Sequence, residues 1–117
     1  MVSRGLTPGL KGHRETVVCE HNIAQHVRKF STPSMIRLME GAATQAVQQY
    51  LPEGHVSVGF EVNIRHVAPA DIGATVIAYS ELLEVDRNHL AFRVSAYDGE
   101  RIIGEGTHRR TVIALNR

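Results

Sequence analysis

Thr32, Glu40 and His66 are the residues of this 117-residue chain whose types and spacing suit chemistry. The run Phe30-Ser31-Thr32-Pro33-Ser34-Met35-Ile36-Arg37-Leu38-Met39-Glu40 puts a hydroxyl at a helix start and a carboxylate two turns along the helix. His66 then ends a strand-like run. Where these groups converge they suit acyl transfer: the carboxylate attacks an acyl carbon or activates water, the imidazole moves the proton, and the hydroxyl orients. Spacing leaves both roles open for Glu40.

Each residue also has a plainer reading. Glu40 can pair with Arg37 at i,i+3 on a solvated face, worth about 0.2–0.5 kcal/mol. The same helical spacing sets it at the border of an apolar arc, beside Ile36, Ala43 and Val47, where partial loss of water suits a base. His66 can be a core histidine hydrogen-bonded at a strand end, yet it keeps the apolar parity of its strand and is the best placed of the seven histidines. Thr32 reads as the helix N-cap with Pro33 at the first helical position; Met35 stands where a reciprocal glutamate would complete a capping box.

The elements that must position these groups follow from periodicity. A helix is expected from Thr32 to about Tyr50, stopped by Pro52 and Gly54, with Met35, Met39, Ala42, Ala43, Ala46 and Tyr50 on one face. Val56, Val58, Phe60, Val62 and Ile64 alternate with Ser57, Gly59, Glu61, Asn63 and Arg65, which predicts a strand with those five apolar residues on one face. Pro69 to Gly73 reads as a turn. Further strands are predicted over 74–85, 89–97 and 101–115, joined at Asp86-Arg87-Asn88 and Asp98-Gly99. Before the helix, residues 15–20 suit a short strand and 21–30 a loop or irregular helix. Residues 1–12, with Gly5, Pro8, Gly9 and Gly12, read as a loose lead-in. The order predicts one α+β domain over 1–117, in which a helix covers one face of an antiparallel sheet. Exposed sheet edges then favour a homo-oligomer.

Composition narrows the function classes. Hydrophobic residues make up 43% and charged residues 21%, as in globular domains, and a net charge of +1 without a basic block argues against nucleic-acid or anionic-membrane partners. Cys19 is the single cysteine, so no intrachain disulfide forms, consistent with a reducing compartment. No apolar run has the length of a signal peptide core or a membrane span, which leads to the expectation of a soluble cytoplasmic protein. His21 and His26 lack companion ligands, so no metal is expected. Gly104-Glu105-Gly106 is isolated within a strand and makes no phosphate loop.

The layout resembles the hot-dog fold, a curved five-stranded antiparallel sheet wrapped around a central helix. More narrowly, the chain is similar to the fluoroacetyl-CoA thioesterase-like group over residues 12–115. The resemblance rests on Ser31 to Glu40 with Ala42-Ala43, Val58-Gly59 before Ile64-Arg65-His66, Pro69 to Gly73, and Ile103-Gly104-Glu105-Gly106-Thr107-His108-Arg109-Arg110. It implies hydrolysis of a small or medium acyl-CoA without a cofactor or metal. It also implies a homodimer or dimer of dimers with the site at the dimer interface. Carried over, the group's catalytic trio is Thr32, Glu40 and His66, its acyl-pocket glycine is Gly59 and its pocket arginine is Arg110.

Gly59 alone reads equally as a bulge or as an approach to a backbone N–H for an oxyanion. Arg109 and Arg110 read as contacts to CoA phosphates or the acyl pocket, or as solvent-facing charges. Where the fluoroacetyl-specific member carries an aromatic lid, this chain has only Phe30 between residues 21 and 30, which implies a more general acyl specificity. The alternative is a non-catalytic hot-dog dimer that binds acyl-CoA or another apolar ligand.

Overall fold

The computed structural model describes residues 5–115. The long helix forms as its periodicity predicts: α1 (Thr32–Val47) buries Met35, Met39, Ala42, Ala43, Ala46 and Val47, and one 3₁₀ turn over Gln48–Tyr50 ends it. Its cap, however, is Ser31 and not Thr32. Ser31 is extended at φ −82°, ψ 150°, and its Oγ accepts from the Ser34 N–H at 3.2 Å. Pro33 tolerates the second helical position because its missing N–H would have no intrahelical partner there. The Thr32 hydroxyl is thereby left for other work.

The strands preceding α1 are β1 (Lys11–Val17), β2 (Ile23–Ala24) and β3 (Lys29–Phe30); those following it are β4 (His55–His66), β5 (Thr75–Asp86), β6 (His89–Asp98) and β7 (Arg101–Ala114). Five of them form one antiparallel sheet in the order β1-β5-β6-β7-β4, and β2 and β3 make a separate short hairpin. Residues 21–30 thus hold a hairpin instead of a loop or irregular helix. The sheet packs the helix's apolar face with Val76, Ala78 and Leu82 from β5, Leu90, Phe92 and Val94 from β6, and Ile103 from β7. Ser80 Oγ donates to the Ala42 carbonyl at 2.8 Å, which ties β5 to the helix backbone. Among the described residues, no helix is long and apolar enough to cross a membrane.

Two expectations for the N-terminal part are corrected. The strand predicted over 15–20 begins earlier, at Lys11, and the lead-in is anchored by the buried Leu6 and by the Gly9 N–H, which donates to the Leu82 carbonyl at 2.8 Å. Residues 1–4 of that lead-in lie outside the described residues. Gly12 is a contact residue and not a loop marker: a Cβ there would stand 2.3 Å from the Ala42 carbonyl oxygen and 2.7 Å from the Ala46 nitrogen, so only glycine lets β1 cross α1 so closely.

The expected single apolar face of β4 is also corrected. Between Gly59 and Glu61 the pairing with β7 shifts, and Phe60 is the extra residue. Before it, Ser57 and Gly59 face the helix; after it, Val62, Ile64 and His66 do, opposite His108, Gly106 and Gly104. Val56 and Val58 therefore turn outward. β4 is an edge strand, and Val58, Phe60 and Val62 are 41%, 50% and 45% exposed.

Capping by Ser31 predicts that Ser31→Ala lowers stability by about 1 kcal/mol in urea denaturation, whereas Thr32→Ala costs clearly less. Equal losses would return the cap to Thr32.

Candidate active site

Two clusters of polar side chains stand against α1. The first pairs Thr32 with His66. Phe30, buried just ahead of the helix, donates its N–H to the Ala70 carbonyl at 3.0 Å, and Lys29 ion-pairs with Asp71. The segment entering α1 is thereby fastened to the loop leaving β4. Val67 N–H donates to Ile103 O at 2.7 Å and fixes the strand end beside His66. The result is a 2.8 Å hydrogen bond between Thr32 Oγ1 and His66 Nδ1. Nε2 of His66 is buried and has no partner within the described residues. Burial pulls His66 below the ordinary histidine value of 6.5, with the Ala68 backbone opposing, so the ring is neutral at pH 7. A cleft of about 420 Å³ opens here, lined by His26, Val27, Phe30, Thr32, His66 and Ala68.

The second cluster gathers Glu40, Ser57, Gly59, His108 and Arg110. Arg110 is buried, and its Nε donates to Ser57 Oγ while Nη2 donates to the Ser57 carbonyl, both at 2.8 Å. Its Nη1 lies 3.1 Å from His108 Nε2. Glu40 Oε2 stands 3.9 Å from both Arg110 Nη1 and His108 Nε2, within Coulombic reach but too far for a hydrogen bond. Its side chain is 39% exposed, so the carboxylate faces a guanidinium at the rim and not the apolar interface its helix position suggested. Gly59 leaves room for it: a Cβ there would meet Glu40 Oε2 at 2.8 Å and His108 Cε1 at 2.9 Å.

Within one chain the expected trio does not close. Thr32 and His66 meet, but Glu40 stands beside Arg110, with which it pairs as ions at 3.9 Å, and beside the His108 ring. Eight residues of helix, about 12 Å, separate Thr32 from Glu40. Phe30 lines the cleft from a buried position, and Arg109 is exposed beside Glu61 at 3.8 Å while its neighbour turns inward. The sequence reading missed His108 and Ser57. The available signal was parity on β7: Glu105, Thr107 and Arg109 face out, so His108, Arg110 and Val112 must share the covered face.

Comparison with known proteins gives a consistent picture. The model of the family described as fluoroacetyl-CoA-specific thioesterase matches residues 13–116. A fluoroacetyl-CoA thioesterase from Streptantibioticus cattleyicolor is 35% identical over 124 residues, covering 97% of this chain and 89% of its own length. The crystal structure of a phenylalanine-to-alanine mutant of a fluoroacetyl-CoA-specific thioesterase, in complex with fluoroacetate and CoA, is 35% identical. It superposes with a TM-score of 0.86 over 94% of this chain and 97% of that one. A hypothetical protein from Thermus thermophilus, a thioesterase superfamily member, is 25% identical with a TM-score of 0.87, over 95% of this chain and 86% of its own.

Two outcomes follow from the site's packing. Gly59→Ala should push the Glu40 carboxylate away from Arg110 and cost about 1–3 kcal/mol on denaturation; an unchanged midpoint would mean the crowding is absent. His66 and His108 both sit below their ordinary 6.5 because burial disfavours the charged ring. The unfolded chain therefore binds more protons just below that value, and stability should fall as pH drops from 6.5 through the folded-state values. His108→Gln should flatten that decline in thermal melts taken across the range, and an unaltered slope would remove His108 as a source.

Proposed function

The chain belongs to the fluoroacetyl-CoA-specific thioesterase family, and from that premise we propose that it hydrolyses small or medium acyl-CoA thioesters to the free acid and CoA. The observation that carries the residue assignment is the Thr32–His66 hydrogen bond at the mouth of an open cleft. Glu40 attacks the thioester carbon or activates the attacking water. In the water route the proton that Glu40 removes passes through His66, neutral at pH 7, to sulfur as the C–S bond breaks. In the direct route thiolate is expelled first, and the water that then cleaves the acyl–Glu40 anhydride gives its proton through His66 to the thiolate. Thr32 Oγ1 holds the imidazole in orientation. Water supplies the oxygen of the new carboxylate, and the thiol ends protonated by either route. The acyl group is general and not restricted to fluoroacetyl, because Phe30 is the only phenylalanine, tyrosine or tryptophan between residues 21 and 30, and it is buried in β3 at the wall of the cleft.

The working unit is a homodimer, located in the cytoplasm, and a second copy completes the site. β4 offers an unpaired backbone edge and the exposed Val58, Phe60 and Val62, the surface an isologous partner would cover. If the two-fold axis of such a pair passes through Asn63, Val62 of one copy pairs with Ile64 of the other. With Phe60 left out of that ladder as it is from the ladder to β7, Gly59 pairs with the partner subunit's His66. That register sets an imidazole beside the carboxylate that Gly59 accommodates, and the trio closes across two chains.

Thiol release from a panel of acyl-CoAs tests the reaction; silence of the wild type across the panel would end it. Glu40→Gln and His66→Asn should each fold and lose activity by about 10²-fold or more, and full activity in either removes that residue from the mechanism. Mixing the two inactive variants should restore roughly a quarter of wild-type activity, since half the dimers are mixed and each carries one intact site. A mixture that stays inactive while native mass spectrometry shows mixed dimers would refute the shared site.

A further inference from the structure

Resting on that reading, we propose that His108 is a positioning residue: a neutral imidazole protonated on Nδ1, it holds Arg110 at the distance from Glu40 that leaves the carboxylate usable. The tautomer follows from its partners. Nδ1 lies 2.8 Å from the Glu61 carbonyl oxygen, which can only accept, so Nδ1 carries the hydrogen. Nε2 lies 3.1 Å from Arg110 Nη1, which can only donate, so Nε2 offers its lone pair. An imidazolium would set N–H against N–H and charge against charge.

The surroundings sustain this state. The His108 side chain has no exposed surface, and Phe92 from β6 lies against the ring with centroids 6.3 Å apart. Glu40 from α1, the Glu61 carbonyl and Gly59 from β4, and Arg110 from β7 complete the shell. Burial is the main force pushing His108 toward the neutral form, and Arg110 adds to it while the Glu61 backbone and Glu40 oppose.

Arg110 needs such a holder. Ser57 pins Nε and Nη2, which fixes the plane of the guanidinium but leaves Nη1 to whatever acceptor lies in reach. Two acceptors compete: His108 Nε2 at 3.1 Å and Glu40 Oε2 at 3.9 Å. While His108 accepts, the guanidinium presents its charge to Glu40 without bonding to it, and the carboxylate oxygens remain free for an acyl carbon or a water. Without that acceptor a buried N–H is stranded, and its cheapest remedy is a direct bond to Glu40. Such a bond would occupy the oxygen the reaction uses.

Two substitutions separate positioning from packing. His108→Asn keeps a donor near the Nδ1 position and removes the acceptor; His108→Gln puts a carbonyl oxygen near the Nε2 position. The expectation is a fall in kcat on the order of tenfold with little change in KM for His108→Asn, and near wild-type kcat for His108→Gln. Equal losses in both variants, or a loss carried by KM, would overturn the proposal. Independently of activity, long-range proton–nitrogen NMR at pH 7 should show His108 protonated on Nδ1 and bare on Nε2. A proton on Nε2 would refute the proposal even in an active enzyme. A wild type that releases no thiol yet shows this tautomer would remove the proposed reaction while the buried contact stood.

Discussion

A β-strand alternates its side chains, so a regular strand gives one parity to the layer beneath it and the other to solvent. β4 could not serve both polar clusters under that rule, because Gly59 and His66 have opposite parity. The extra residue at Phe60 resolves this: the odd positions Ser57 and Gly59 face α1 before it, and the even positions Val62, Ile64 and His66 face α1 after it. Deleting that one residue of register would turn either the Arg110 anchor or the imidazole out to the convex surface. Glycine at 59 is the second half of the same constraint, since the bulge brings that backbone under the end of Glu40, where a methyl group would collide.

The features legible in the sequence were those with period. The helix, the four strands after it and the Asp98-Gly99 turn came through because each repeats a spacing over several residues or uses a residue with positive φ, as Gly99 does at 65°. The bulge left one trace, Gly59, which reads equally as a bulge or as a close approach; the parity change it causes left none, because Val56 to Ile64 alternate without a break and a skipped pairing is a property of two strands, not one. Ser31 and Thr32 are adjacent hydroxyls before the same proline, and only the backbone angle decides which caps. Gly12 carried the same ambiguity, since a glycine that permits a close approach and one that loosens a loop are the same letter. Of the site, Thr32 and His66 were legible as a pair because they end their elements. His108 and Ser57 were not, because polar residues on the covered parity of a strand look like interruptions of a core.

The two clusters differ in how they handle charge. At His66 the chain half-buries a neutral ring and, among the described residues, leaves its buried Nε2 without a partner, which costs free energy within the fold and retains a group able to take a proton. At Arg110 it buries a cation and surrounds it with acceptors: a hydroxyl, a carbonyl and an imidazole nitrogen, none of them charged. A buried guanidinium satisfied by neutral acceptors keeps most of its field unspent. The carboxylate at the rim, partly solvated and 3.9 Å away, is the group that field acts upon.

Strand order then links the chemistry to assembly. The sheet places β4 at an edge, and that edge strand carries the glycine under Glu40 and the histidine that meets Thr32. In a monomer this arrangement is costly twice, through unpaired backbone groups and through apolar side chains held in water. The first cost is removed on the proposed seam, where pairing of β4 with its copy satisfies the backbone edge, draws the apolar side chains of the two strands together and brings each imidazole to the other chain's carboxylate. The parity switch at Phe60 is what makes that pairing consistent, for only with the bulge skipped can Gly59 and the partner subunit's His66 stand opposite each other on the same face of one continuous sheet.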